Sequence, residues 1–287
     1  MSPDDTRVTL REAMALEIVP GELRAARGCF DTADGGSLCL AGRYADDGYR
    51  AALELESLPL DLLRMVVDTE LEFTQRLSGA LELAAGPSGR PSGSGRVDVS
   101  AGLIRNTWDE RLTLSTRSGF AAFELDDGQL LSGELSLPFS EAAEIAGSFR
   151  VADIALGGAS PIGGQLTVNV RDVGVGARIV PQIDEAAGRL EADIRVDGTL
   201  AAPRFAGGLA LTGGRLVYDP LGLEISEIEL EGNILEGNRI EIDSSFRAGE
   251  GRGRLRSSAD YLARRSAGFE LALTGSGRDL IRLDDLR

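Results

Sequence analysis

Apolar and polar residues alternate along almost the whole chain, and this alternation restricts the fold more than any other feature. Successive side chains of a β-strand point to opposite faces of its sheet, so a period of two places one face in an apolar environment and the other in water. The pattern predicts an all-β protein of roughly twenty strands of ordinary length. The clearest alternating sets are Leu71/Phe73, Leu81/Leu83, Leu112/Leu114, Leu135/Leu137, Leu166/Val168/Val170, Leu190/Ala192/Ile194/Val196, Leu209/Leu211, Leu223/Ile225, Ile240/Ile242 and Leu271/Leu273.

Gly-rich and Asp-Gly pairs separate the alternating segments and supply turns. Helical signal is limited to two short segments: residues 58–67, where Pro59 suits a first helical turn, and residues 183–187. Residues 86–95 contain two prolines and three serines, which predicts a flexible loop.

Two segments, near residues 77–104 and 188–216, share one spacing pattern. In each, a proline is followed at the same offsets by two glycines and three aliphatic residues. The two sets are Pro91, Gly95, Val97, Val99, Gly102 and Ile104, and Pro203, Gly207, Leu209, Leu211, Gly214 and Leu216. The shared unit is predicted to be strand, proline turn, strand, glycine turn, strand. Repetition of such a unit indicates a single elongated β domain over residues 1–287.

The chain contains no His and no Lys, so Arg supplies all 30 basic side chains. Catalysis by a Ser-His-Asp triad, a histidine base or a Schiff-base lysine is therefore excluded, and so is a Walker A loop. Two cysteines without histidine do not complete a zinc site. We predict that the protein is not an enzyme and uses no cofactor or metal.

The net charge of −16 argues against nucleic acid as a partner, because phosphates would be repelled at long range. The chain has no run of 18 apolar residues, so no helix is predicted to span a membrane. Its first ten residues are polar and acidic, unlike a signal peptide. If the protein is exported, the signal is expected upstream of this sequence.

Cys29 and Cys39 flank a turn signal centred on Asp34-Gly35. An antiparallel hairpin at this turn would place the two cysteines opposite each other, within reach of a disulfide. A disulfide would favour the periplasm. Two unrelated buried thiols remain the alternative.

Large rings are scarce, because aromatic residues make up 5% of the chain and there is one tryptophan. A compact β-sandwich of this length usually contains more of them. The inward positions are Leu, Ile, Val and Ala, which line an open groove as readily as they fill a closed core.

Several segments together resemble the TamB family of AsmA-like envelope proteins, in the C-terminal region of its members. Residues 188–211 read GRLEADIRVDGTLAAPRFAGGLAL and carry most of the likeness, which continues through GGRL at 213–216 and LGLEISEIEL at 221–230. Upstream, CLAGRY at 39–44 and AALELESLPL at 51–60 are also similar, as are the paired cysteines. The likeness extends from about residue 29 to residue 287, and the order and spacing of the segments carry it rather than one sharp motif.

The resemblance implies a fold called a β-taco: an elongated, U-folded, antiparallel-rich sheet with an apolar groove, here with one or two short helices. It also implies a periplasmic segment of a bridge that conducts phospholipid between the inner and outer membranes. The implied partners are phospholipids, a TamA/BamA-type outer-membrane barrel, and the inner membrane through an N-terminal anchor that this sequence lacks.

The aliphatic alternating positions are therefore predicted to line a lipid groove. They are Leu71, Phe73, Leu166, Val168, Val170, Ile194, Val196, Leu209, Leu211, Ile240, Ile242, Leu271 and Leu273. Two other functions stay open. One is an assembly factor for outer-membrane and autotransporter proteins, which would act with a TamA-type barrel by β-augmentation. The other is a structural β-solenoid or adhesin, which would have a filled interior.

Overall fold

A computed structural model describes residues 8–65, 71–107, 113–177, 183–218, 222–235, 239–249, 251–260 and 265–274, without the side chains of residues 63–65, 176–177, 223, 259–260 and 265–274. The described residues form twenty strands, as the alternation predicts. The strands are β1 (Val8–Leu10), β2 (Leu16–Val19), β3 (Glu22–Thr32), β4 (Ser37–Ala45), β5 (Gly48–Pro59), β6 (Leu71–Phe73), β7 (Arg76–Ala85), β8 (Pro91–Val99), β9 (Gly102–Asn106), β10 (Thr113–Thr116), β11 (Gly119–Asp126), β12 (Leu130–Pro138), β13 (Ala143–Ala152), β14 (Ile162–Val170), β15 (Glu185–Thr199), β16 (Ala202–Tyr218), β17 (Leu223–Leu235), β18 (Arg239–Ala248), β19 (Gly251–Asp260) and β20 (Arg265–Thr274).

Seventeen of these strands form one antiparallel sheet, in which nearly every strand pairs with its neighbours in the chain. β1 and β2 lie end to end along β3, and the ladder then runs through β4, β5, β7, β8 and β11 to β20. Because β1 and β2 share one position, the sheet has sixteen positions across. At about 4.8 Å between strands, they extend over roughly 70 Å.

The sheet is curved, and between β4 and β11 its apolar face lies on the concave side. Leu40 of β4 and Phe123 of β11 stand four strand positions apart, which is roughly 19 Å in a flat sheet. They nevertheless line one cavity. The architecture is therefore the all-β, taco-like fold that the sequence predicts, and the sheet stays open because β20 and the β1/β2 edge are not paired with each other among the described residues.

Irregularities in neighbouring strands bend the sheet further. The register of β15, β16 and β17 shifts near Gly188, Gly213 and Glu227 respectively. Gly213 has φ +60, a left-handed conformation that a side chain disfavours, and its amide donates a 2.8 Å hydrogen bond to the Glu229 carboxylate. Bulges increase local twist and bend the strand. The three strands are therefore creased along one line.

The two long margins of the sheet differ, and we name them by their connections. The hairpin rim carries the connections at 20–21, 46–47, 86–90, 127–129, 153–161 and 200–201. The loop rim carries the longer ones, at 60–75, 100–118 and 171–184. Two of these long connections contribute a separate three-stranded sheet, β6–β9–β10, which has its own buried Ile104 and Leu114. The loop rim is therefore thickened over β5 to β11.

The buried apolar side chains lie at these margins and not on the floor of the groove. Among the described residues, they are Cys39, Ala45, Ala85, Ile104, Leu114, Leu125, Ala143 and Val151. In a closed sandwich, the Leu, Ile and Val of the inner face would be the most buried residues. The fold has no such closed core in the part of the chain that the structure describes.

Cys29 of β3 and Cys39 of β4 stand directly opposite each other and form a disulfide, with 4.0 Å between their Cα atoms. The hairpin between them turns at Thr32, whose hydroxyl oxygen accepts a 3.0 Å hydrogen bond from the Gly36 amide. The predicted pairing is confirmed. The disulfide lies on the face opposite the groove, because Cys39 is also paired with Glu54 of β5.

Three local predictions meet different outcomes. Residues 60–65 form a 3₁₀-helix, within the segment predicted to be helical, and residues 66–67 lie outside the described part. Residues 185–187 are strand and not helix, because they pair with β16. The predicted loop at 86–95 is shorter, since β8 begins at Pro91. No described helix has the length and hydropathy needed to cross a membrane.

The two repeat units take different paths. In the first, Pro91 to Val99 form β8, and Gly102 opens β9 in the small sheet. In the second, the equivalent residues lie within the single strand β16, and Gly214 follows its bulge.

Candidate functional site: an uncharged trough

One face of the long sheet carries no charged side chain from β3 to β19 among the described residues. Residues that are directly opposite in an antiparallel ladder share a face, so the register defines continuous rows across the strands. One row runs from Leu55 through Gly79, Val97, Ala121, Leu135, Gly147, Leu166, Ile194, Gly207 and Ile234 to Ile240. The neighbouring rows are equally free of Asp, Glu and Arg, and we call this face the trough.

Nine of the predicted lining residues lie together in the trough. Val168 and Leu209 are in one row with Ala192 and Ile242. The nine are Leu166, Val168, Val170, Ile194, Val196, Leu209, Leu211, Ile240 and Ile242. Each of them is half-buried, so the lining is accessible from the trough side.

The remaining four predicted residues lie elsewhere or are described less fully. Leu271 and Leu273 belong to β20 and are opposite Leu255 and Gly253, but their side chains lie outside the described part. Leu71 and Phe73 form β6 of the small sheet, where Phe73 is opposite Ile104. The structure does not bring these two into the long sheet. Their alternation is real, but period two alone does not say which sheet a strand joins.

Phenylalanine rings cover glycines on the trough floor in its middle section. A Cβ atom at Gly95 would lie 2.4 Å from the ring of Phe123, and one at Gly133 would lie 2.4 Å from the ring of Phe149. The rings therefore lie flat across neighbouring strands, in the space that side chains would otherwise occupy. Phe149 remains 41% exposed, so this section presents flat aromatic surface.

A nearly pure apolar cavity of about 420 Å³ opens in the trough between β4 and β11. Its walls are Leu40, Leu53, Leu81, Leu83 and Phe123. Such a volume lies within the range of about 300–1,000 Å³ that is usual for small-molecule sites.

The outer face carries the charge, mostly as Arg–carboxylate pairs. Asp243 is a representative case, because it accepts hydrogen bonds from Arg254 at 2.6 and 2.9 Å and from Arg256 at 3.1 Å. The hydrogen bond from Arg254 lowers the pKa of Asp243 below its ordinary value. Hydrogen bonds from arginine likewise lower the pKa of Asp31, beside Arg11, and of Glu22, beside Arg43.

A hollow of about 680 Å³ is on this outer face between β8 and β15. Its charged lining mixes Glu124 and Glu134 with Arg150 and Arg195, and it has no single chemical character. A second outer hollow, of about 510 Å³, is lined by Glu191, Asp193 and Glu231 among other residues. No cluster of metal-ligating side chains occurs among the described residues. The trough is therefore the surface with the clearest chemistry.

Most residues of the trough's first half, including Leu40, Leu53 and Leu81, were not among the predicted lining residues. These positions alternate in the same way as the chosen ones, so their signal was present. Phe123 and Phe149 were not recognisable, because their role depends on which glycine lies across the ladder.

The sequence likeness to TamB is supported by an independent comparison with family models. A family model described as TamB, N-terminal domain, matches residues 7–211. The chain belongs to the TamB family. The matched model describes the N-terminal domain of the family, whereas the sequence likeness pointed to its C-terminal region. Comparison with curated proteins and with solved structures gave no match.

Membership in the TamB family associates the protein with the cell envelope and with assembly or lipid transport there. It also connects the protein with the translocation and assembly system and its outer-membrane partners.

Proposed function

We propose that this TamB-family chain conducts phospholipid along the trough in the periplasm, between the inner and outer membranes, without catalysing a reaction. The observation that carries the proposal is the row of uncharged, half-exposed side chains from β3 to β19. A structural β-solenoid would instead fill this face.

The energetic requirement for such transport is large. Each acyl methylene exposed to water costs about 0.8 kcal/mol, so two acyl chains meet a barrier on the order of 20 kcal/mol in an aqueous gap. Aliphatic side chains along a continuous uncharged face replace that water at every step. The headgroup stays in solvent above the open side, so its hydration is not lost.

The outer face supports the same role by keeping charge away from the lining. Its arginines and carboxylates form exposed pairs such as Arg204–Asp197 at 2.7 Å and Arg215–Glu224 at 2.9 Å. Exposed pairs contribute little stability, but charged residues keep the outside of an extended sheet soluble.

Site-specific photo-crosslinking in the cell tests the proposal. A photoreactive residue at Leu209 faces the trough, and one at the adjacent Ala210 faces outward, opposite Glu231. We expect phospholipid adducts from position 209 and few from position 210. Equal lipid labelling at the two positions, or none at either, contradicts lipid conduction through the trough.

A second function, assembly of outer-membrane proteins with a TamA/BamA-type barrel, is favoured by the β1/β2 edge. Leu16 is 56% exposed and Ile18 is 72% exposed, and β2 pairs on one side only among the described residues. An exposed apolar edge strand is a template for another strand. Precursor adducts from a photoreactive residue at Ile18, without lipid adducts at Leu209, would favour this function over lipid conduction.

A further inference from the structure

The side chains that line the trough change in size and polarity over three successive cross-strand pairs toward the hairpin rim of β4 and β5. Leu40 is opposite Leu53, the next inward pair is Gly42 and Ala51, and the pair at the rim is Tyr44 and Tyr49. A row of small residues thus lies between a row of leucines and a pair of phenols. Leu83 of β7 ends the small pair on one side, and Gly93 of β8 follows it in the same row.

The apolar cavity of about 420 Å³ lies at the first two of these pairs. Ala51 lies in its wall and is exposed, although it stands on the apolar face. The space exists because the small Ala51 does not fill it, while Leu53, Leu81 and Phe123 bound it on the far side. Its lining is aliphatic and aromatic carbon, which suits a hydrocarbon chain.

The two tyrosines supply the boundary between apolar trough and water. Tyr44 is 65% exposed and Tyr49 is half-buried beside Ala85. A tyrosine has an apolar body and a polar hydroxyl, so it is favoured where one end of the ring is dry and the other is wet. The phenols therefore mark the level at which a lipid headgroup would emerge.

An arginine without an ion pair stands at the same level. Arg43 and Arg50 are directly opposite each other on the outer side of the strands that carry the tyrosines. Arg43 is compensated by Glu22 and Asp47, each at 2.9 Å. Arg50 is exposed and has no ion pair among the residues that the structure describes. Like charges directly opposite are destabilising, and an anion near Arg50 would relieve that repulsion. The long arginine side chain can reach around a rim.

We propose that the part of β4 and β5 from the Leu40–Leu53 pair to the Tyr44–Tyr49 pair is a docking station for one glycerophospholipid. One acyl chain fills the cavity beside Ala51, the glycerol region lies at Tyr44 and Tyr49, and the phosphodiester lies within reach of Arg50. This inference rests on the proposed lipid conduction and adds where a molecule pauses and which headgroup chemistry holds it.

Filling the cavity provides the first test. Ala51→Leu places a larger side chain in the cavity, and Gly42→Val adds one directly opposite Ala51 on the neighbouring strand, where a Cβ would meet only the Arg50 carbonyl at 3.5 Å. Ala80→Leu is the matched control, because Ala80 faces outward opposite Glu54 and does not line the cavity. The probe is a phosphatidylglycerol with a fluorescent acyl chain, and the readout is its binding to the purified protein. We expect both filling variants to weaken binding about tenfold and Ala80→Leu to leave it unchanged, since tenfold corresponds to about 1.4 kcal/mol, or roughly two methylenes.

The headgroup contact provides the second test. Arg50→Gln is expected to weaken phosphatidylglycerol binding about threefold to tenfold, with little effect on a fluorescent diacylglycerol that has no phosphate. Millimolar inorganic phosphate should not displace the phospholipid, because the acyl chain supplies most of the affinity. Displacement by phosphate alone would overturn the proposal in favour of a plain anion site, and equal loss for both lipids would exclude the role of Arg50.

Crosslinking separates failure of this inference from failure of the proposed function. A photoreactive residue at Leu83 reports on the station, and one at Leu209 reports on the rest of the trough. Lipid adducts at Leu209 with none at Leu83 overturn the station and leave lipid conduction standing. No lipid adduct at either position overturns both. An intact Cys29–Cys39 disulfide and an unchanged circular dichroism spectrum show that each variant has folded.

Discussion

The first and last parts of the trough share one face but differ in their lining. Between β4 and β11, leucines alternate with glycine, alanine and rings, and the face contains a cavity. Between β14 and β18, neighbouring rows are mostly Ile, Val and Leu, as in Leu166 opposite Ile194 and Leu211 opposite Leu230. A uniform aliphatic surface gives a hydrocarbon chain no preferred position, whereas a gap between large and small side chains does. If the trough conducts phospholipid as proposed, the section between β4 and β11 would hold a lipid molecule and the section between β14 and β18 would let it pass. We call these sections the holding part and the passing part.

The margins follow the same division. The small sheet β6–β9–β10 and the Cys29–Cys39 disulfide both belong to the first part. The last part has the crease in β15 to β17. The holding part is therefore braced by covalent and tertiary contacts, while the passing part depends on the sheet itself.

The largest effect is expected from a charge in the passing part. Leu211→Asp places a carboxylate on the trough floor, and an acyl chain that crosses it must displace the water around that charge, at a cost of several kcal/mol. Delivery of phospholipid to the outer membrane should fall about tenfold or more. The measurement is the phospholipid content of the outer membrane in cells that carry the variant.

The control for this experiment is Ala210→Asp, one residue away and on the outer face. It should leave delivery unchanged. If both variants deliver lipid normally while folded, the passing part of the trough is not a conduit.

Loss of the disulfide is expected to weaken the holding part selectively. The bond closes a loop with a sequence separation of 10 residues, and the chain-entropy model gives such a loop roughly 2–3 kcal/mol. Replacing Cys29 and Cys39 together by Ala should lower the free energy of unfolding by about this amount, as measured by urea denaturation. Hydrogen exchange should become faster in β3 to β5 first. An equal increase in β14 to β18 would show that the two parts unfold as one unit.

Adding a side chain beside the Phe149 ring, between the two parts, should lower the free energy of unfolding by less than loss of the disulfide does. Gly133→Ala places a Cβ about 2.4 Å from the Phe149 ring, so the ring must move. Such overpacking typically costs about 1–3 kcal/mol. Gly163→Ala in the neighbouring sheet region is the control, because a Cβ there meets only Arg150 at 3.8 Å. Thermal unfolding that distinguishes the two variants would support the flat placement of the ring.

The smallest effect is expected from acid. The pKa values of Asp31, Glu22 and Asp243 are lowered by arginine hydrogen bonds, so their contribution to stability is fully present above the ordinary values of 3.8 for Asp and 4.5 for Glu. It is lost as the pH falls through the lower values of the folded state. We expect a modest drop in unfolding temperature below about pH 4 that shrinks in about 1 M salt, where exposed pairs are screened.

The acid effect also compares the two parts of the sheet. Asp243→Asn should reduce the acid sensitivity of the passing part, and Asp31→Asn that of the holding part. No change in the acid transition for either variant would exclude these pairs as its source.

The sequence predicted the fold well where a local rule was sufficient. Alternation placed Leu166, Val168 and Ile194 on one face, and a turn between Cys29 and Cys39 placed the cysteines opposite each other. It predicted the secondary structure poorly where pairing with a neighbouring strand decides it. Residues 183–187 carry weak helical signal, but β16 supplies hydrogen bonds to residues 185–187 and extends β15. The same competition explains β8, which begins at Pro91 because β7 is available beside it.

The two repeat units show this limit most clearly. Val99 and Leu211 occupy equivalent positions in the two repeat units. The chain nevertheless leaves the long sheet after Val99 and continues through a bulge after Leu211. The local residues are alike, so the outcome was decided by what each segment could pair with. Gly102 pairs with Thr116 in the small sheet, and Gly214 pairs with Ile228 of β17.

The sequence by itself determined that one face of each strand is apolar and uncharged, because side-chain direction alternates with every residue whatever the partner. Only the tertiary structure decided how those faces join: which strands meet in register, where rings lie over glycines, and where a gap remains beside Ala51. Those features depend on contacts between residues that are far apart in the chain, and period two carries no information about them.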